Sequence, residues 1–237
     1  MHDIHRSVDR KTQDRMSFPL LVNGDRMGQA EFHARYEACP ENQKFELVGG
    51  IVYMASPESR LHSLYCEELG YLLGVYRRHT PGIESAPDAT AILGEESEPQ
   101  PDLSLRLEPE YGGQSHVNEG GYYTGPPEFA AEIAYSSRAI DLHKKRSDYE
   151  RAGVLEYLVV RVEEPEMHWF NFASRGTIKA HRKGVFCSKV FPGLWLHRQA
   201  LLERDSVQTE TVLRQGLASR THAAFVKRLE HARKRKS

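Results

Sequence analysis

The stretch that most constrains the fold runs from Phe129 to Val160. It opens with a short apolar run, Phe129-Ala-Ala-Glu-Ile-Ala134, that carries a single acid, Glu132. Ser136-Ser137 supplies a small polar turn. From Ile140 a charged segment with helical spacing runs to Gly153, a residue type that commonly ends helices. A second apolar, β-branched run follows at Leu155–Val160. Strand, helix, strand is the grammar of a βαβ unit. A carboxylate inside a buried strand costs about 3–5 kcal/mol if nothing matches it, so Glu132 demands a partner. Residues four apart share a helix face, which aligns Asp141, Lys145 and Tyr149 and leaves Lys144 and Asp148 as an outward pair. Lys145 is therefore expected to reach back over the sheet to Glu132. An ion pair that merely fixes helix on strand has the same signature, so this contact alone does not make a site.

The rest of the chain limits the alternatives. Its 237 residues suit one domain with appendages, or two small ones. Hydrophobic residues at 39% and charged residues at 27% match a chain that buries a core. A net charge of −1 announces no global field for nucleic acid, so any such surface is local. Cys39, Cys66 and Cys187 are scattered, without a CxxC, which argues against a disulfide framework or a zinc site and for a reducing, cytoplasmic setting. No apolar run approaches membrane-spanning length, and the polar start lacks the apolar centre of a signal peptide.

In chain order, Met1–Ser17 reads as a loose polar tail and Gln29–Cys39 as a short amphipathic helix ended by Pro40. Lys44–Met54 reads as a hairpin, two apolar runs around Gly49-Gly50, with Glu46 as the one acid on its first strand. A long helix is expected from Ser56-Pro-Glu-Ser59 to about His79, with a stripe through Leu61, Leu64, Tyr65, Leu69, Leu72 and Tyr76. His62, near its start, has the ordinary reading of a surface or capping residue. Ile83–Ala86 and Thr90–Leu93 look like short strands around Pro87-Asp88. Pro101–Leu107 alternates, with Leu103, Leu105 and Leu107 on one side and Asp102 and Ser104 on the other. Glu108–Pro127 reads as a long loop suited to a lid or a substrate-contacting flap. Met167–Phe172 and Thr177–Ala180 are further strands, and Val190–Leu196 is a closing segment on the core. From Arg198 a helical arm carries Leu201, Leu213, Phe225 and Leu229 and ends in a basic tail; its stripe must pack on the core or across a homodimer.

Acids confined to apolar strands suggest phosphodiester chemistry. Such hydrolysis uses a divalent ion to neutralise the phosphate and to make hydroxide available near neutral pH. Hard oxygen ligands from a few carboxylates suit magnesium or manganese. Asp102 and Glu132 are the candidate ligands. Lys145 is placed to orient the attacking water and stabilise phosphate charge, and Glu46 to bind a second ion or position the first.

Taken together, Pro101-Asp102, Glu132-Ile-Ala134, Asp141-Leu-x-x-Lys145, Tyr149, Gly153-Val154 and Glu156-Tyr157 resemble the Uma family of restriction endonucleases, in the PD-(D/E)XK nuclease superfamily. Phe45-Glu46-Leu-Val-x-Gly50 and the Ser56-Pro57 to His62 segment match in the same order, so the resemblance spans roughly Phe32 to Leu196. It implies an α/β (α+β) restriction-endonuclease-like core, a mixed sheet flanked by helices, over residues 18–197, with residues 198–237 as the helical arm. It further implies Asp102, Glu132, Lys145 and Glu46 as catalytic residues, and Asp102, Glu132 and Ile133 as ligands of Mg2+ or Mn2+. The activity implied is magnesium-dependent cleavage of DNA. In the superfamily the lysine often lies two residues after the glutamate; that position is Ala134 here, and the pattern moves the lysine to Lys145. Family members commonly carry acids around the hairpin glycine, where this chain has Gly49 and Ile51, and a proline after the glutamate strand, where it has Tyr135-Ser136-Ser137. Neither departure touches the implied ligands. Two further readings compete. One is a nuclease-fold binding or assembly module without catalysis, which the near-neutral charge favours because DNA binding draws on many phosphate contacts. The other is an acid/base enzyme acting on a small substrate in a closed pocket.

Overall fold

The computed structural model describes residues 19–40, 42–134 and 141–236. The Met1–Ser17 tail and the Ser136-Ser137 turn expected from sequence lie outside the described residues. Among the described residues the first element is α1 (Gln29–Glu37), followed by the hairpin β1 (Phe45–Val48) and β2 (Ile51–Met54). Gly49 and Gly50 turn that hairpin at φ values of 57° and 74°, a left-handed pair that glycine enters without a Cβ penalty. The helix α2 (Arg60–Arg78) follows, with the Ser59 hydroxyl accepting from His62 N at 3.2 Å as its cap. Next come β3 (Ile83–Pro87), β4 (Ala91–Ile92), β5 (Leu103–Leu107), β6 (His116–Val117) and β7 (Tyr123–Thr124). The βαβ unit is β8 (Phe129–Ala134), a wide π turn over Asp141–Lys145 that runs into α3 (Arg146–Ala152), and β9 (Glu156–Arg161). Gly153, at φ 96°, ends α3 as the sequence requires. After β10 (Glu166–Asn171), β11 (Gly176–Thr177), β12 (Val185–Cys187) and β13 (Trp195–His197) the chain finishes in α4 (Arg198–Glu203), α5 (Ser206–Leu217) and α6 (Arg220–Lys236).

Six strands form the central sheet in the order β11-β10-β9-β8-β5-β3. Only the β8–β9 pair within it is parallel, set by the crossover through α3, so the sheet is mixed. One face carries the main core. The α2 stripe of Tyr65, Leu69, Leu72 and Tyr76 packs there on Leu103, Leu105, Phe129 and Ala131, and Leu201, Leu213, Phe225 and Leu229 of the last helices join the same cluster. The C-terminal stripe thus finds its apolar partner in the chain's own core. The other face is smaller: Ala130, Ala134, Tyr157 and Val159 pack under Tyr149 of α3.

Two regions differ from the pattern reading. The Glu108–Pro127 loop is not structureless: β6 and β7 pair there, and β7 runs parallel to β4 in a three-stranded sheet of its own. Two-residue strands show no periodicity, but their backbone groups still need partners. The outward Lys144–Asp148 pair does not form. Asp148 is buried and accepts from Ser97 and Arg151, while Lys144 Nζ reaches the Tyr53 hydroxyl at 2.9 Å. Four-residue spacing does hold across the same turn for Lys145 and Tyr149, which meet on Glu132, so it is the competing partners Ser97, Arg151 and Tyr53 that separate Lys144 from Asp148.

Candidate functional site

The register of two strands brings the acids together. Leu103 of β5 lies opposite Ala131 of β8 in an antiparallel ladder, so the next pair outward is Asp102 with Glu132. Directly opposed residues project from the same face. Asp102 and Glu132 accordingly line one cleft of about 330 Å³ with Glu46, Lys145, His62 and Asp88. Ile133 N donates to Asp102 Oδ2 at 2.7 Å, tying the aspartate to the glutamate strand.

Glu132 is 3% exposed, and its partner is the one the βαβ geometry demands. Lys145 Nζ donates to Glu132 Oε1 at 3.0 Å and stands 2.9 Å from Glu46 Oε2. Tyr149 OH donates to the same Glu132 oxygen at 2.9 Å. Burial foremost, with the charges of Glu132 and Glu46, holds the Tyr149 phenol well above its ordinary range, so it stays a proton donor. Glu46 reaches the cleft from β1, where Gln100 N donates to its Oε1 at 2.7 Å. The side chain of Ile133 belongs to the main core, so what this residue can offer a cation is main-chain oxygen.

His62 is not the surface or capping residue its position suggests. The cap is Ser59; the His62 ring is buried, with Nε2 3.2 Å from Asp102 Oδ2. A lone histidine gives no sign of a partner 40 positions away, which is why sequence reasoning passed it over. Asp88 also lines the cleft and was read only as a turn residue. Burial foremost, then Asp102 and Glu58, raises its carboxyl against the pull of Lys44 and His62.

An acid in an apolar strand does not by itself make a site. Glu156 opens β9, is fully buried, and spends its carboxylate on Ser188 Oγ, Lys189 N and Val190 N at 2.7, 2.7 and 3.1 Å. Glu128, just before β8, accepts from Leu107 N and Gln114 N. Both are loop staples satisfied by backbone and hydroxyl donors. Glu132 differs in accepting from a lysine and a phenol at a cleft wall.

The donor chemistry of the cleft suits a hard divalent cation. Asp102, Glu132 and Glu46 offer carboxylate oxygens. The carboxylates that line the cleft, Glu46, Glu58, Asp88, Asp102 and Glu132, outnumber the ammonium groups of Lys44 and Lys145, so its lining carries a formal negative charge that a dication offsets. A soft metal gains little from so oxygen-rich a set.

A family model described as "Putative restriction endonuclease", Uma2, matches residues 30–199. Among solved structures, the chain is similar to a protein from Anabaena variabilis ATCC 29413 described as "a putative nuclease belonging to DUF820". The two share 14% identity with a TM-score of 0.58, over 71% of this chain and 96% of that one. No curated protein matches.

Proposed function

The chain belongs to the Uma2 family, and from that premise we propose that it is an endonuclease that hydrolyses phosphodiester bonds of DNA with Mg2+ or Mn2+. The observation that carries this reading is that Asp102, just before β5, and Glu132 of β8 line one cleft in which Lys145 pairs with Glu132. A divalent cation held by Asp102 and Glu132, with the main-chain oxygen of Ile133, would neutralise phosphate charge and make hydroxide available near neutral pH. Lys145 Nζ, fixed between Glu132 and Glu46, is aimed to orient the attacking water and to stabilise charge building on the phosphate. The water oxygen bonds to phosphorus, the bond to the leaving oxygen breaks, and that oxygen takes up a proton. His62 and Ile133 N both meet Asp102 at Oδ2, and Tyr149 holds Glu132, so both carboxylates are oriented by their neighbours.

The free state of Cys39, Cys66 and Cys187 fits a reducing compartment, and we place the protein in the cytoplasm. Among the described residues, no helix is long and apolar enough to cross a membrane.

One observation favours a second reading. Lys145 bridging Glu132 and Glu46 is also a closed ion-pair knot, as expected of a nuclease-fold binding module without catalysis. Incubation of the purified chain with supercoiled plasmid DNA and Mg2+ separates the two. The nuclease reading expects nicking and linearisation that a chelator stops. Cleavage of RNA alone would change the substrate, and cleavage of neither nucleic acid would leave the binding module.

A further inference from the structure

The first turns of α2 bring two more donors to Asp102 and so build a second donor set that shares this one carboxylate with the proposed hydrolytic site. His62, Cys66 and Asp102 each offer one ligand atom, and these atoms lie within 4.8 Å of one another. His62 and Cys66 are four apart and share a helix face. His62 Nε2 stands 3.2 Å from Asp102 Oδ2 and 3.8 Å from Cys66 Sγ. Zinc bonds of about 2.05 Å to nitrogen or oxygen and about 2.3 Å to sulfur give tetrahedral edges of about 3.3 and about 3.6 Å. The His62–Asp102 and His62–Cys66 separations come within a few tenths of an ångström of those edges, and because Cys66 Sγ is equally near both ring nitrogens, at 3.7 and 3.8 Å, the imidazole must turn to aim Nε2 at a shared ion.

The surroundings fit as well. Glu58 Oε2 lies 3.7 Å from His62 Nδ1, on the side of the ring away from Asp102. At that separation the carboxylate faces the ring nitrogen without a direct hydrogen bond. A second opening of about 390 Å³, lined in part by Cys66, Glu67 and Ser85, reaches the same three donors from outside the hydrolytic cleft and leaves room for water as a fourth ligand. Sulfur and imidazole donors select against magnesium and for a borderline-soft cation.

We propose that His62, Cys66 and Asp102 bind a divalent cation of the zinc class, and that this cation competes with the hard cation for Asp102. The metal–sulfur bond forms as the Cys66 proton leaves to solvent. The competition rests on the hydrolytic reading above; the binding site does not. A zinc-class ion draws Asp102 Oδ2 toward His62 and sets a second dication beside the first, so occupation of this site shuts off cleavage.

Titration of chelator-treated, full-length protein with Co2+ tests the site. Wild type is expected to show a thiolate-to-cobalt charge-transfer band that saturates at one equivalent and is displaced by Zn2+. Cys66→Ser and Cys66→Ala, each checked for an unchanged melting temperature, should lose the band and bind Zn2+ about tenfold or more weakly. Cys187→Ser and Glu132→Gln should keep it. No band in wild type, or a band that survives both Cys66 variants, overturns the site. In the cleavage assay, equimolar Zn2+ should lower the Mg2+-supported rate of wild type about tenfold and leave Cys66→Ser within about twofold. Equal inhibition of both overturns the competition. No cleavage in any arm would overturn the hydrolytic reading and the competition with it, while the cobalt band alone still decides the site.

Discussion

Lys145 is where folding and chemistry place opposite demands on one side chain. Its ammonium balances two carboxylates in a site only 6% exposed, so it supports the fold whatever else it does. Lys145→Met leaves Glu46 and Glu132 facing each other without a cation and should cost about 3–5 kcal/mol in chelator. If the cleft takes a dication, added Mg2+ restores much of that stability while cleavage stays abolished. Melting curves of the variant with and without Mg2+ check this, and a loss that Mg2+ does not touch would make the lysine structural. The contact of Lys145 with Glu132, in a cleft that Asp102 also lines, was legible in the sequence because a carboxylate in an apolar strand is costly enough to require a partner. The same logic marks Glu156, which turns out to staple a loop, so cost identifies a buried acid without saying what satisfies it. The proximity of His62, Cys66 and Asp88 to Asp102 was illegible because contact between distant segments leaves no local pattern.

Elements with a strong local pattern were readable: the Gly49-Gly50 hairpin, α2 behind Ser59, and the βαβ unit whose helix ends at Gly153. The small β4-β7-β6 sheet was not, since two-residue strands carry no period. Nor was the seat of α5, which depends on a close approach invisible in sequence. A Cβ on Gly216 would come within 2.2 Å of the Gly193 carbonyl oxygen and 2.7 Å of the Trp195 ring. Gly216→Ala gains about 1 kcal/mol of helix propensity, yet the clash is with backbone, so thermal unfolding should show a lower melting temperature. A rise would mean that α5 shifts freely. The start of α6 adds a pH dependence. His222 is buried with Nδ1 2.9 Å from Leu217 O and Nε2 3.0 Å from Thr80 Oγ1. Burial foremost, helped by His79, lowers its pKa below the ordinary 6.5. The unfolded chain then binds this proton more readily than the folded one, so stability falls as pH drops below about 6.5 toward the depressed value. Melting temperatures between neutral and mildly acidic pH should show that slope in wild type and a shallower one in His222→Gln.

At the scale of the molecule, the two faces of the central sheet have separate work. One is covered by α2 and the C-terminal helices, which share a single core, and the other holds α3 over Glu132. The fold class was readable because strand–helix–strand spacing and alternation report layers; the strand order was not, because it is fixed by non-local pairing. A net charge of −1 means that any hold on DNA comes from local groups such as the basic end of α6, not from a global field. The central claim is that Asp102 and Glu132, brought opposite each other by the β5–β8 register, share one divalent cation. Calorimetric titration of Mn2+ into wild type, Asp102→Asn and Glu132→Gln tests it most directly. One binding site in wild type, weakened about tenfold or more by either substitution, is the predicted result; Mn2+ binding that is absent in wild type, or unchanged in both variants, would contradict it.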